Sequence, residues 1–249
     1  SYGRSRGIQD VTFAVTEGEV FGFLGPNGAG KTTTMRLLMG LLHANAGSAT
    51  IGGLDVWEQR TEVKRLVGYL PGELSLDPTL TGAQILAYLG NLRGGVDPAY
   101  VKQLCDRLGL DTGKRFRDYS RGNKQKVGVV QAFMHRPRLL ILDEPTSGLD
   151  PLNQQEFYAM VREVRADGRT IFLSSHVLPE VEHTCDRVGI IREGQLVAVN
   201  QISALRDLKH HEVEITFPAV AQPAWFSGVT NASDVQLNGD NHTIRLTVQ

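Results

Sequence analysis

The stretch Gly25-Pro26-Asn27-Gly28-Ala29-Gly30-Lys31-Thr32-Thr33 has the residue types and spacing of G-x-x-x-x-G-K-[ST]. Its glycines let the backbone curl so that successive N–H groups point inward at an anion. A helix starting at the end of the loop adds partial positive charge at the same place. The implied chemistry is phosphate binding. Lys31 is expected to reach the β- and γ-phosphates of a nucleotide, and the Thr32 hydroxyl to hold Mg²⁺. A Lys-Thr pair at a helix start has no evident folding purpose, which argues against a glycine turn that binds nothing.

Asp143-Glu144 closes the apolar run Leu139-Leu140-Ile141-Leu142. A carboxylate at the end of a buried strand beside a phosphate loop is placed to bind Mg²⁺, which assigns Asp143 to the metal. The adjacent Glu144 is then placed to take a proton from an attacking water. His176 follows the strand-like run Thr170 to Ser175. It lies near the terminal phosphate if that strand neighbours the phosphate-loop strand. The other histidines show no metal spacing.

The elements that must position these residues are legible in outline. Val20-Phe21-Gly22-Phe23-Leu24 reads as the strand entering the loop, and Thr32 to Leu42 as the helix leaving it. Val11 to Val15 alternates as a strand does, and Leu66 to Leu70 reads as another strand. Helical patterns then begin at Thr81, at Asp97-Pro98 and at Ser120, with no strand between them, which predicts a helical insert over about 73–135. The alternating αβ pattern resumes at Leu139 and ends with a helix over Ile202 to Lys209. From His210 the style changes to strictly alternating β runs, Glu212 to Phe217 and Thr243 to Val248, around a polar stretch. The expected organisation is a main domain over 1–209 and a small accessory β segment over 210–249. Ser1 in place of Met, and the strand-like run at the end, suggest a piece of a longer polypeptide.

Bulk properties narrow the function. The chain has 249 residues, 41% hydrophobic, with 26 Lys plus Arg against 27 Asp plus Glu. A net charge of -1 removes the basic excess of a general nucleic-acid binder. Cys105 and Cys185 form no CxxC pair, which fits a reducing compartment. No apolar run approaches the roughly 20 residues of a membrane helix.

Together these blocks resemble the ATPase subunit of ATP-binding cassette (ABC) transporters, from Tyr2 to about Lys209. The resemblance implies an α/β fold: a P-loop NTPase (RecA-like) core with an antiparallel β subdomain, a helical insert and the C-terminal β appendage. It makes Tyr2 the aromatic that stacks on adenine and Gly25 to Thr33 the loop that binds ATP. Tyr119-Ser120-Arg121-Gly122-Asn123 matches the family signature, usually Leu-Ser-Gly-Gly-Gln. Ser120 and Gly122 are then expected to meet the γ-phosphate of ATP held by a second subunit. Ser147-Gly148-Leu149-Asp150 follows the metal strand and brings Asp150 to the nucleotide. His176 becomes the switch histidine, catalytic together with Glu144 and Lys31. Two departures stand out. Gly72 occupies the place of the switch Gln, whose role is then absent or passes to Glu73 or a water, and Arg121 and Asn123 replace signature residues.

The implied function is an engine. Two cassettes close on two ATP molecules, hydrolysis reopens them, and the motion drives a separate transmembrane permease at the cytoplasmic face of the cell membrane. The departures and the β appendage look like multidrug or antibiotic-type exporters. Two other readings compete: a soluble ABC-type ATPase acting on ribosomes or nucleic acid, and a regulatory cassette with poor turnover.

Overall fold

The computed structural model describes residues 7–207, 211–226, 229, 232–239 and 241–248. These residues divide into two compact units, Ser1–Val199 and Asn200–Gln249.

The first unit is built on a sheet in the order β4-β5-β6-β1-β7-β8, whose last strand runs two residues past the division. Its strands are β1 (Val20–Leu24), β4 (Val67–Leu70), β5 (Leu139–Asp143), β6 (Thr170–Ser175), β7 (Arg187–Arg192) and β8 (Gln195–Gln201). The pairs β4·β5, β5·β6, β6·β1 and β1·β7 are all parallel. Parallel strands buried on both faces read as continuous apolar runs, as Val20–Leu24 and Leu139–Leu142 do. Parallel pairing also places the C-terminal ends of β1, β5 and β6 on one edge, where open α/β sheets bind ligands. A small antiparallel pair, β2 (Thr50–Ile51) with β3 (Leu54–Asp55), lies between α1 (Lys31–Leu38) and α2 (Arg60–Leu66) in sequence.

Helix α1 stops at Leu38 rather than at the expected Leu42. The reason is a Schellman turn through Gly40: Gly40 N donates to Leu37 O and Leu41 N to Arg36 O, both at 2.9 Å. Val11 to Val15, expected as a strand, does not form one. Its alternation has another cause. Phe13 lies flat on Phe21, Phe23 and Phe172 at 5.5–5.6 Å, and Val11 and Val15 pack on the same cluster. One side faces the sheet without a backbone ladder.

The three expected helices are present as α3 (Gly82–Leu92), α4 (Pro98–Arg107) and α5 (Arg121–Phe133). Their starts follow the capping residues. Thr81 forms a reciprocal capping box with Gln84, and the Asp97 carboxylate accepts from Ala99 N ahead of Pro98. Helix α5 does not belong to the insert alone. A Cβ placed on Gly128 would lie 2.5 Å from Leu70 Cδ1, and Gln131 Nε2 donates to Tyr69 O, so α5 is seated on β4. The remaining helices of this unit are α6 (Pro151–Ala166) and α7 (Leu178–Thr184).

The second unit holds α8 (Ile202–Asp207) and a three-stranded antiparallel sheet, β10 (Ala232–Leu237), β11 (Thr243–Val248) and β9 (His211–Thr216), in that order. The division falls after Val199, so α8 counts with this unit and not with the main domain as expected. β10 lay in the stretch read as polar. Its Val235 is enough to join the small core of Ala221, Ile244 and Leu246.

Candidate active site

The site forms where three parallel strands end. In register, Leu24 of β1 is beside Ser175 of β6, and Asp143 of β5 is beside Ser174 of β6. The phosphate-loop strand and the Asp143 strand therefore do not touch. β6 lies between them and delivers Ser174, Ser175 and His176 into the gap.

The loop leaves β1 with Gly25 N donating to Ser175 O at 3.2 Å. A Cβ on Gly25 would lie 2.3 Å from Ile191 O, so only glycine permits this approach. Gly30 caps α1 without a side-chain hydrogen bond, which leaves the N–H groups of the first turn directed out of the helix end. Lys31 is 5% exposed. Its Nζ donates to Gly25 O at 2.7 Å and Pro26 O at 3.1 Å, and lies 3.3 Å from Glu144 Oε1. The ammonium is thus held over the loop by two hydrogen bonds and one ion pair.

Asp143 is 1% exposed. Thr32 Oγ1 donates to Asp143 Oδ2 at 2.6 Å, and Ser174 Oγ donates to Oδ1 at 2.6 Å. Both carboxylate oxygens accept from hydroxyls. Glu144 sits at φ 47°, a left-handed backbone that costs a non-glycine residue about 1–3 kcal/mol. Its N–H donates to Ser174 Oγ at 3.0 Å, and its carbonyl accepts from Gln125 Nε2 at 3.2 Å. Glu144 Oε1 also lies 3.2 Å from His176 Nδ1. The structure therefore brings Lys31, Thr32, Asp143, Glu144 and His176 together, as expected from sequence.

Other expected residues stand elsewhere. Tyr2 lies outside the described residues. Asn27, Gly28 and Ala29 form the outer turn of the loop, and Ala29 N closes on Pro26 O at 3.1 Å. Thr33 follows Thr32 in the first turn of α1. Ser120 caps α5, its Oγ accepting from Asn123 N at 3.3 Å. Gly122 approaches Gly148 and not the phosphate loop: a Cβ on it would lie 2.6 Å from Gly148 O. Arg121 Nη2 donates to Ser147 Oγ at 2.7 Å, so this departure from the signature pattern ties α5 to the turn before α6. Asp150 caps α6, and its hydrogen bonds from Asn153 hold its carboxyl below the usual carboxylate range. Gly72 lies against Asp143, where a Cβ would be 2.9 Å from Oδ2.

Three residues were not foreseen. Ser174 is fully buried, and a hydroxyl inside an apolar strand was the available signal. Gln125 lies on a helix buried nearly all round, so periodicity does not single it out. Glu180 accepts from Thr146 Oγ1 at 2.8 Å and Ser175 Oγ at 2.7 Å, joining the segments after Glu144 and before His176.

The chain matches the ABC transporter family over residues 8–147. Linearmycin resistance ATP-binding protein LnrL of Bacillus subtilis is 35% identical over 204 residues, covering 80% of this chain and 66% of that protein. Bacitracin transport ATP-binding protein BcrA of Enterococcus faecalis is 37% identical over 225 residues, covering 88% of this chain and 73% of that protein. The chain spans 66%, 63% and 57% of the length of three curated relatives that it matches, the first of them LnrL. A solved ATP-binding subunit of an ABC transporter superposes with a TM-score of 0.73 at 32% identity, over 80% of this chain and 85% of that one. A dimeric bacterial ABC transporter cassette shares the fold, with a TM-score of 0.71 at 18% identity over 78% and 90% of the two chains. On the family match and these identities, the chain belongs to the ABC transporter family, as one of its ATP-binding cassettes.

Proposed function

We propose that this cassette binds ATP with Mg²⁺, hydrolyses it, and powers a separate transmembrane permease from the cytoplasmic face of the membrane. The observation that carries the reading is the position of Glu144 Oε1, 3.3 Å from Lys31 Nζ and 3.2 Å from His176 Nδ1. The base, the phosphate-binding cation and the switch histidine converge on one oxygen. In-line attack of water forms a P–O bond to the γ-phosphorus as the bond to the β-phosphate oxygen breaks and ADP leaves, and Glu144 accepts the proton of the water. Lys31 and the first-turn N–H groups of α1 offset the charge that builds on the phosphate oxygens.

The residues fit a divalent cation. Thr32 and Asp143 present hard oxygen donors 2.6 Å apart, and Gly72 leaves the adjoining side of Asp143 free of a side chain. Among the described residues there is no group of three or more His, Cys, Asp or Glu that could hold a metal. Held by Thr32 and Asp143, Mg²⁺ would supply charge neutralisation to the nucleotide phosphates.

No helix among the described residues is long and apolar enough to cross a membrane. Relatives named for linearmycin resistance and bacitracin transport support export as the direction. Two copies closing face to face would complete each site with Ser120 and Gly122 of the opposite subunit. The test is Glu144→Gln: lost turnover with retained ATP binding supports the reading, and parent turnover overturns it.

A further inference from the structure

Glu144 is gripped by its main chain from two different elements. Ser174 Oγ, on β6, accepts the Glu144 N–H at 3.0 Å while donating to Asp143 Oδ1 at 2.6 Å. Gln125 Nε2, on α5, donates to the Glu144 carbonyl at 3.2 Å and to the Pro145 carbonyl at 2.9 Å. Ser174 is 0% exposed and Gln125 is 8% exposed, so water does not compete for these bonds. A left-handed non-glycine residue persists only where its surroundings over-determine it. Here the peptide groups on both sides of Glu144 are fixed by side chains.

We propose that Ser174 and Gln125 are positioning residues: they hold the left-handed backbone of Glu144 and so aim its carboxylate between Lys31 and His176. Gln125 does this from the helix that begins at Ser120. The placement of the base therefore follows the position of α5, and a shift of that helix is felt at Glu144 without any movement of the phosphate loop. The inference rests on Glu144 acting as the base.

The experiment uses the full chain and four variants. Gln125→Glu keeps the volume but turns a donor into a carboxylate facing two carbonyls, and Gln125→Met keeps the length without the amide. Ser174→Ala removes the hydroxyl, and Ser174→Thr retains it. Steady-state hydrolysis gives kcat and KM, and calorimetry gives ATP affinity. Misplacement of the base by a fraction of an ångström should lower kcat about tenfold to a hundredfold in the first three variants. Their ATP affinity should stay within about threefold, and Ser174→Thr should recover most of the turnover. In a Glu144→Gln background, adding Gln125→Met should lower turnover no further.

Parent kcat in folded Gln125→Glu and Ser174→Ala would overturn the proposal. So would a kcat loss matched by an equal loss of ATP affinity, the mark of a merely structural role. If one variant does not fold, the other two decide, since each removes a bond to Glu144 independently. Glu144→Gln at parent turnover sinks the base assignment itself. Glu144→Gln inactive beside fully active positioning variants sinks only this inference.

Discussion

Glu144 Oε1 lies 3.2 Å from His176 Nδ1, although the two residues follow different strands. The contact gives the imidazole a direct hold on the proposed base. His176→Ala should therefore lower turnover about 10²–10⁴-fold, as Glu144→Gln should, with ATP still bound. The double variant should lose little more than either single one, because both act on one proton transfer. Steady-state phosphate release checks this, and fully multiplicative losses would separate the two residues.

The buried Lys31 ammonium should make charge-assisted hydrogen bonds to ATP, each worth about 1.5–3 kcal/mol. Lys31→Ala should weaken ATP binding about tenfold to a hundredfold in a calorimetric titration. Unchanged affinity would remove the phosphate-loop assignment.

Gly72→Gln restores the residue type that the family pattern has at the switch, yet it should impair the enzyme. The new Cβ would lie 2.9 Å from Asp143 Oδ2. Asp143 cannot rotate away without breaking its 2.6 Å bonds from Thr32 and Ser174. The expected result is a raised Mg²⁺ requirement for ATP hydrolysis. A variant with parent Mg²⁺ dependence would show that the segment around Gly72 yields instead.

Ser120 uses its hydroxyl as an N-cap, and the first turn of α5 lies against the Ser147–Gly148 turn. Mixing subunits tests where the signature acts. Lys31→Ala and Ser120→Arg homodimers should both be inactive. A confirmed mixed dimer should regain part of the turnover and trap one ATP, because one of its two sites carries neither lesion. A mixed dimer with neither rescue nor a trapped ATP would defeat the shared-site arrangement.

His135 supplies a pH prediction. Burial, and then the nearby Arg93 charge, push its pKa down from 6.5 to about 4. Its Nδ1 is buried without a hydrogen-bond partner, while Nε2 lies 3.3 Å from Val67 O. The folded state thus favours neutral imidazole, and the unfolded state binds the proton more readily. The contribution to stability is present above pH 6.5 and is lost as pH falls toward 4. Denaturant midpoints should drop between pH 7 and pH 5, and His135→Gln should reduce that drop. An equal drop in the variant would assign the slope to other groups.

The phosphate loop was legible because all its parts are consecutive, and Asp143-Glu144 because a carboxylate pair ends an apolar run. The helix starts at Thr81, Asp97 and Ser120 were legible because capping is local. What sequence missed is non-local. Ser174 meets Asp143 and Glu144 only once β6 is paired with β5, and Gln125 meets Glu144 only once α5 is seated. The alternation of Val11 to Val15 misled because period two reports one buried side, and says nothing of a neighbouring strand. The polar-looking β10 was hidden because a small sheet asks little apolar content of an edge strand.

The sheet order also dictates when the site can exist. Among the described residues β1 pairs only with β6 and β7, Val20 with Ile171 and Phe21 with Arg187. The strand carrying the phosphate loop is thus made early and paired late. At roughly 5–20 residues per second, its neighbours leave the ribosome on the order of ten seconds after it does. For that interval Val20 to Leu24 is an unpaired apolar strand, the kind of segment that invites misassociation. The nucleotide site is consequently a late product of synthesis, and a nascent chain halted before β6 would carry the complete phosphate-loop sequence without the strand that places it.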